Sequence, residues 1–206
     1  MFAHIVLVKG DDEEHYCARL ILSDIEWLGH TRVVLKSDNE NSIVALWKRV
    51  ARMLKLNEKL TNVQEESPVP YDSQSNGAIE VGVRLVRGMF RTLKLCLEAR
   101  IGKYIPAAHA ITAWLLEHTC ILLNARCRGS DGLTPCQRIK GRSFRQLLLS
   151  FGECILYKLP TKGPDSNLDG NMGSRWLEGL FMGYSRLSNA YIVAPDLCTD
   201  ARWKTV

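Results

Sequence analysis

The chain has 206 residues, of which 46% are apolar and 24% are charged, and this composition excludes a wholly disordered protein. No apolar run approaches the roughly 20 residues that a bilayer-spanning helix needs, so we expect no membrane partner. The seven cysteines are irregularly spaced and form no CxxC pair, which argues against a zinc cage or a disulfide framework and predicts an intracellular, reducing environment.

The net charge of +5 is unevenly distributed along the sequence. Residues 1–79 carry a net charge of −3, residues 80–145 carry +8, and residues 146–206 carry 0. Because the positive charge is concentrated in the middle third, the sequence predicts a polyanionic partner for that part of the chain.

Strand-like and helix-like patterns alternate in the first third of the chain. The predicted elements are, in order, a buried strand at 2–8, a helix capped by Asp11 or Asp12 that ends near Leu28, a strand at 32–36, a helix at 42–56 and a short strand at 61–66. This order is typical of an α/β sheet with crossover helices.

Helical patterns follow a loop at 66–77 that is rich in proline and serine and has no apolar period. The predicted helices are a long one from Ala78 to Ile101 with Asn76 as its N-cap, one from Pro106 to Arg126, and a short one that starts at Thr134-Pro135 and ends near Lys140.

Short alternating runs begin after residue 151 and predict a small all-β appendage. The predicted strands lie at 153–159, 175–184, 190–193 and 198–203. We therefore divide the chain into an α/β domain at 1–145 and a small β-barrel-like domain at 146–206.

Two carboxylates are the main candidates for chemistry. Asp38 follows the strand at 32–36, and the carboxyl ends of such strands line the crevice where α/β sheets bind ligands. Glu80 lies in the first turn of the long helix. The alternatives are structural, since Asp38 could cap a turn or the next helix and Glu80 could interact with the positive end of the helix dipole.

The long helix carries two adjacent stripes of side chains. The apolar stripe, predicted to be buried, consists of Ile79, Val83, Val86, Phe90, Leu93 and Leu97. The polar stripe consists of Glu80, Arg84, Arg87, Arg91 and Lys94. Four cations on one face repel each other, so a compensating anion is expected, and a phosphodiester backbone would supply it.

These motifs resemble the integrase catalytic core of copia-type retrotransposon polyproteins. The similar runs are VVLKSDNE at 33–40 and ESPVPYDSQSNGAIEVGVRLVRGMFRTLK at 66–94, and the similarity continues through Asn124, Thr134-Pro135 and the tail runs at 175–179 and 181–184. The resemblance implies a ribonuclease H-like fold that binds DNA. It also implies DNA integration by divalent-metal-dependent polynucleotidyl transfer, with Asp38 and Glu80 as ligands of Mg²⁺ or Mn²⁺.

One departure from the family pattern affects the expected chemistry. The family's first metal-binding aspartate lies on the first strand of its sheet, whereas this chain begins at a segment that resembles the third strand. The missing carboxylate is the one that bridges the two metal ions of the transfer reaction. We therefore expect Asp38 and Glu80 to lie within about 10 Å of each other and to bind one ion weakly, with catalysis impaired.

Two other function classes stay open. The chain could be part of a full polynucleotidyl transferase whose first strands are encoded upstream, or a non-catalytic protein–protein interaction module built on the same fold. The expected partner is DNA, homo-oligomerisation stays open, and a functional chain would act in the nucleus. The histidines lack metal-ligand spacing, and His118 is expected to lie in the core or in an interface.

Overall fold

A computed structural model of the chain describes residues 1–10, 12–37, 40–56, 62–66, 77–158, 175–195 and 204–205. The protein is of mixed α/β type, as predicted. Its helices are α1 (Tyr16–Leu28), α2 (Asn41–Lys55), α3 (Gly77–Ile101), α4 (Ile111–Arg126) and α5 (Pro135–Lys140). Its strands are β1 (Arg32–Lys36), β2 (Asn62–Glu66), β3 (Cys154–Lys158), β4 (Trp176–Tyr184), β5 (Tyr191–Pro195) and β6 (Lys204–Thr205).

The chain divides into two compact units. The N-terminal unit comprises Phe2–Arg87, and the C-terminal unit comprises Gly88–Val206 together with Met1. The division falls within α3, which therefore contributes residues to both units.

The N-terminal unit contains a parallel strand–helix–strand arrangement. Strands β1 and β2 pair in parallel from Arg32 opposite Asn62 to Lys36 opposite Glu66, and α2 connects them. The core of this unit consists of Ala18, Ile25, Leu35, Leu46, Val50, Ala51 and Leu54. Helix α1 supplies the first two of these residues and α2 the last four, so both helices contribute to one apolar core. The crossover predicted from the sequence is confirmed for this pair of strands.

The C-terminal end of α1 agrees with the predicted signal, whereas the N-cap residue is His15 rather than the predicted aspartate, and its side chain makes no capping hydrogen bond. The Oδ1 atom of Asp12 accepts a hydrogen bond of 2.7 Å from the backbone N–H of Tyr16. Gly29 ends the helix in the left-handed region with a φ of 72°, where a residue without Cβ is favoured.

The predicted strand at 2–8 is wrong. These residues form no strand, and the side chains from Ile5 to Val8 are exposed. The start of the segment contacts α1 through side chains instead: the rings of Phe2 and Trp27 lie 5.5 Å apart, and Nε2 of His4 lies 2.7 Å from Oδ2 of Asp24. An apolar, β-favouring run becomes a strand only when a neighbouring strand pairs with it, and local sequence does not reveal that neighbour.

The C-terminal unit contains an antiparallel sheet in the order β3-β4-β5-β6. A register shift between Phe181 and Gly183 marks a bulge in β4, where Gly183 has a φ of 139°. Helix α4 packs on β4. Strands β3, β4 and β5 agree with the predicted runs at 153–159, 175–184 and 190–193, whereas the predicted strand at 198–203 lies outside the described residues. Closure of the sheet into a barrel stays a prediction.

Helix α4 begins at Ile111, five residues later than predicted. A turn precedes it, in which the N–H of His109 donates to the carbonyl of Pro106 at 3.0 Å and the N–H of Thr112 donates to the carbonyl of His109 at 2.9 Å. Pro106 thus begins a turn that leads into the helix.

A segment without regular secondary structure joins α5 to β3 and is attached to the sheet by Tyr184. The hydroxyl of Tyr184 donates to the carbonyl of Leu147 at 2.7 Å and accepts from the N–H of Leu149 at 3.1 Å. The predicted boundary between residues 145 and 146 therefore lies inside the C-terminal unit, and the division into an α/β domain and a β-barrel-like domain stays a prediction.

None of the helices in the described ranges has the length and apolar character that crossing a membrane requires.

Candidate nucleic-acid interface

Glu80 occupies the predicted position in the first turn of α3, and its side chain is exposed. The unpaired backbone N–H groups of a helix N-terminus favour a nearby negative charge. This interaction alone is sufficient to account for Glu80, so the metal-ligand role stays a prediction.

Asp38, the other predicted ligand, lies outside the described residues. The separation of about 10 Å expected between its carboxylate and that of Glu80 therefore stays a prediction. What the structure places at the carboxyl ends of β1 and β2 is an ion pair. The Nζ atom of Lys36 lies 3.0 Å from Oε1 of Glu66. The two residues are also opposite each other in the parallel register.

One of the two predicted metal ligands, Asp38, lies outside the described residues. Within these ranges no three His, Cys, Asp or Glu side chains are grouped so that they could hold a metal ion. Because Glu80 is described and Asp38 is not, the Mg²⁺ or Mn²⁺ site expected from the sequence stays a prediction.

Three of the four predicted DNA-binding cations form an exposed group. Arg84, Arg87 and Arg91 recur at helical spacing on α3, and all three side chains are exposed. Among the described residues, none of the three has a carboxylate within ion-pair distance. We call this group the α3 arginine stripe. Its positive charge is not compensated by the described part of the chain.

Lys94, the fourth predicted cation, is in a different environment. Its Nζ atom lies 2.5 Å from Oε1 of Glu98 and 4.6 Å from the ring centre of Tyr104, and its side chain is only 18% exposed. The hydrogen bond from Lys94 is the main reason why the pKa of Glu98 is lowered. Glu98 also accepts a hydrogen bond of 2.7 Å from the N–H of Ile105.

Lys94 therefore helps to attach the end of α3 to the turn that follows it. The sequence contained the signal for this pair, because Glu98 lies four residues after Lys94, and residues at that spacing are neighbours on a helix. The role of Lys94 in DNA binding stays a prediction. Because they are exposed and have no carboxylate within ion-pair distance among the described residues, the three arginines are better placed than Lys94 to contact an anion.

The apolar stripe of α3 is covered at one end only. Leu97 is 3% exposed, and Phe90 and Leu93 pack on the same core cluster of the C-terminal unit. At the other end, Ile79 is 51% exposed and Val83 is 42% exposed. The prediction of a continuous buried stripe was therefore wrong at Ile79 and Val83. A helical period identifies a face of the helix but not the length over which that face is covered.

His118 is a core residue, as expected from the sequence. It is 1% exposed, and its ring lies among the rings of Phe151, Phe181 and Tyr184. The sequence did not predict that α4 brings this histidine to β4, because a helical pattern does not show which element its apolar face will meet.

No protein-family model matches the sequence, and no curated protein matches it. Among solved structures, the chain is similar to a chain of the simian T-cell lymphotropic virus intasome in complex with the PP2A regulatory subunit B56 gamma. The two chains are 15% identical, with a TM-score of 0.41, over 92% of this chain. The match spans 60% of the length of that viral chain. A TM-score this low does not establish a common fold.

Proposed function

We propose that this protein binds DNA through the α3 arginine stripe, and that it is an integrase-like protein of a retroelement with a ribonuclease H-like N-terminal part. The observation that carries the proposal is the stripe itself: Arg84, Arg87 and Arg91 are exposed at helical spacing and lack a carboxylate partner among the described residues. Uncompensated cations in register favour a partner with regularly spaced negative charges, and a phosphate backbone has them.

Further support comes from the order of elements around the stripe. A parallel β1–α2–β2 arrangement precedes a long helix that carries Glu80 in its first turn. This is the order that the resemblance to copia-type integrase cores implies. Under this proposal Asp38 and Glu80 bind Mg²⁺ or Mn²⁺ weakly, polynucleotidyl transfer by residues 1–206 alone is impaired, and the protein acts in the nucleus.

The test is DNA binding as a function of salt concentration, measured by fluorescence anisotropy of a labelled duplex. If the three arginines each contact a phosphate, the plot of log K against log[salt] has a slope of about −3 from this stripe. The variant carrying Arg84→Gln, Arg87→Gln and Arg91→Gln is expected to lose that part of the slope and to bind about equally weakly to all DNA sequences.

The control variant removes the same number of charges from α1 and α2. Arg19, Lys48 and Arg52 are exposed on α1 and α2, and their replacement by glutamine is expected to change the slope by less than one unit. Equal losses in the two variants would contradict the proposal, because they would reflect net charge alone. Loss of self-association with unchanged DNA binding in the α3 variant would favour the protein–protein module instead.

A further inference from the structure

Half of the twelve cations in residues 80–145 lie in the stretch of residues 126–145, which we call the α5 segment. Its cations are Arg126, Arg128, Arg138, Lys140, Arg142 and Arg145. Asp131 is its single carboxylate. The segment lies entirely within the C-terminal unit, and the α3 arginine stripe does not account for its charge.

The first half of the α5 segment is a tightly closed loop. The N–H of Gly129 donates to the carbonyl of Leu133 at 3.0 Å, and the N–H of Gly132 donates back to the carbonyl of Gly129 at 3.0 Å. Thr134 then starts α5 with a capping box. Its Oγ1 accepts from the N–H of Gln137 at 3.2 Å, and Oε1 of Gln137 accepts from the N–H of Thr134 at 2.9 Å.

The second half of the segment turns back along α5. Gly141 ends the helix in the left-handed region with a φ of 66°. After it, the carbonyl of Arg142 accepts a hydrogen bond of 3.8 Å from Sγ of Cys136, and Oγ of Ser143 accepts one of 3.1 Å from Nε2 of Gln137. Both partners lie in the first half of α5, so residues that follow the helix lie beside its start.

The single carboxylate is used inside the segment. Asp131 accepts hydrogen bonds from Nε of Arg138 at 2.9 Å, from Nη2 of Arg138 at 2.5 Å and from the N–H of Leu133 at 3.1 Å. The pKa of Asp131 is lowered to about 2, chiefly by the hydrogen bonds from Arg138. A Cβ atom at Gly129 would overlap the guanidinium of Arg138, so the glycine leaves room for this pair.

The other arginines of the segment face solvent. Arg126, Arg128, Arg142 and Arg145 are exposed, and none of them has a carboxylate within ion-pair distance in the described part of the chain. Asp131 neutralises Arg138, so these four arginines keep their positive charge within a stretch of 20 residues. Such a group is destabilised by its own repulsion unless an anion compensates it.

Two of the exposed arginines flank α5 in sequence, Arg128 before it and Arg142 directly after its C-cap. Phosphate contacts require exposed charge rather than a specific base-reading geometry, so exposed arginines of this kind suit a nucleic-acid backbone.

We propose that the α5 segment is a second DNA-binding surface, in which Arg128, Arg142 and Arg145 contact the phosphate backbone. This rests on the proposed function, since it assumes that the chain binds DNA. It adds a surface in the C-terminal unit that neither Asp38, Glu80 nor the α3 arginine stripe includes.

The test uses the full chain and a labelled DNA duplex, with binding measured against salt concentration. The variant carries Arg128→Gln, Arg142→Gln and Arg145→Gln. The matched control carries Arg100→Gln, Lys103→Gln and Lys158→Gln, which removes three exposed cations of the same unit. In about 0.1 M salt the first variant is expected to bind at least about tenfold more weakly, with a slope that is shallower by about 2 to 3.

A third variant, with lysine at the same three positions, keeps the charge and is expected to keep most of the affinity, because phosphate contacts need charge rather than a specific base-reading geometry. Thermal unfolding of all variants shows whether folding is retained. Where the glutamine variant unfolds at a lower temperature than the unmodified protein, the lysine variant decides. If the lysine variant stays folded and does not bind DNA, the proposal is overturned.

The outcomes separate the two proposals. If the α5-segment variant and its control bind DNA with equal affinity while the α3 variant binds DNA more weakly, this inference is overturned and the proposed function stays intact. If the α5-segment variant binds DNA more weakly while the DNA affinity of the α3 variant is unchanged, the inference is supported and the role of the α3 arginine stripe is contradicted. Absence of DNA binding by the unmodified chain would overturn both.

Discussion

At the scale of single residues, His118 has an unusual environment for a titratable group. Its ring centre lies 5.5 Å from that of Phe151, 5.7 Å from that of Phe181 and 6.0 Å from that of Tyr184. Neither ring nitrogen has a hydrogen-bond partner among the described residues. Burial lowers the pKa of His118 to about 4, because the charged imidazolium loses hydration that the surrounding rings do not replace.

This environment predicts that acid destabilises the C-terminal unit through one residue. The folded-state pKa of about 4 lies below the ordinary value of 6.5, so the unfolded chain binds the proton first as the pH falls. The stability contributed by neutral His118 is complete above about pH 6.5 and is lost on acidification towards pH 4. The shift corresponds to at most about 3 kcal/mol. Urea unfolding at a series of pH values between these limits would measure it.

The control for this prediction is His118→Phe, which keeps a ring of similar size and cannot titrate. The unmodified protein is expected to lose more free energy of unfolding than the variant between pH 7 and pH 4.5. Parallel losses in both proteins would show that carboxylates alone cause the acid sensitivity and that His118 is not buried in this way.

Single residues also show what a sequence pattern omits. The pattern identified Arg84, Arg87, Arg91 and Lys94 as equivalent because it records only spacing and charge. Lys94 differs from the arginines because Glu98 lies one turn further along the same face. For Asp38 the sequence identified a position shortly after β1, and this residue lies outside the described residues.

At the scale of elements, the two halves of α3 differ in how much they contribute to stability. Leu97 is 3% exposed and belongs to the core of the C-terminal unit, whereas Ile79 is 51% exposed. We expect Leu97→Ala to lower the free energy of unfolding by about 2 to 5 kcal/mol, because it removes buried methyl groups and leaves a cavity.

The matched variant Ile79→Ala is expected to change the free energy of unfolding by no more than about 0.5 kcal/mol, because the side chain is largely in contact with water. Urea unfolding of both variants would measure the difference. A cost at Ile79 that approached the cost at Leu97 would show that the first half of α3 is covered by a partner in solution.

Elements whose signals are local were predicted well. Helix α2 followed from its apolar period, the start of α5 from Thr134 and Pro135, and the end of α1 from Gly29, because each signal acts within a few residues of itself. The strand at 2–8 and the buried stripe of α3 were wrong in whole or in part. Both depend on which distant element lies alongside, and this information is not contained in a short stretch of sequence.

At the scale of the whole molecule, the main prediction is negative. The sequence offers counterparts for two of the three metal-binding carboxylates of the family that it resembles, Asp38 and Glu80. In that family the third carboxylate, for which residues 1–206 offer no counterpart, bridges the two ions on which in-line phosphoryl transfer depends. We expect residues 1–206 alone to nick or join DNA no faster than background with Mg²⁺ or Mn²⁺, as measured by conversion of supercoiled plasmid.

Turnover well above background that is abolished by Asp38→Asn would contradict this prediction. It would mean that another carboxylate, such as Asp11 or Asp12, takes the bridging position. An Asp12→Asn variant would separate the two residues, and Asp12 already has a structural role at the start of α1.

The attachment of the irregular segment before β3 by Tyr184 has a consequence for motion. One hydroxyl, on the last residue of β4, contacts both Leu147 and Leu149. The amide of Leu149 therefore becomes free to exchange its hydrogen only when the segment separates from the strand or the strand itself opens. Slow exchange at this amide would report on the cooperative opening of the sheet, although Leu149 belongs to no helix or strand.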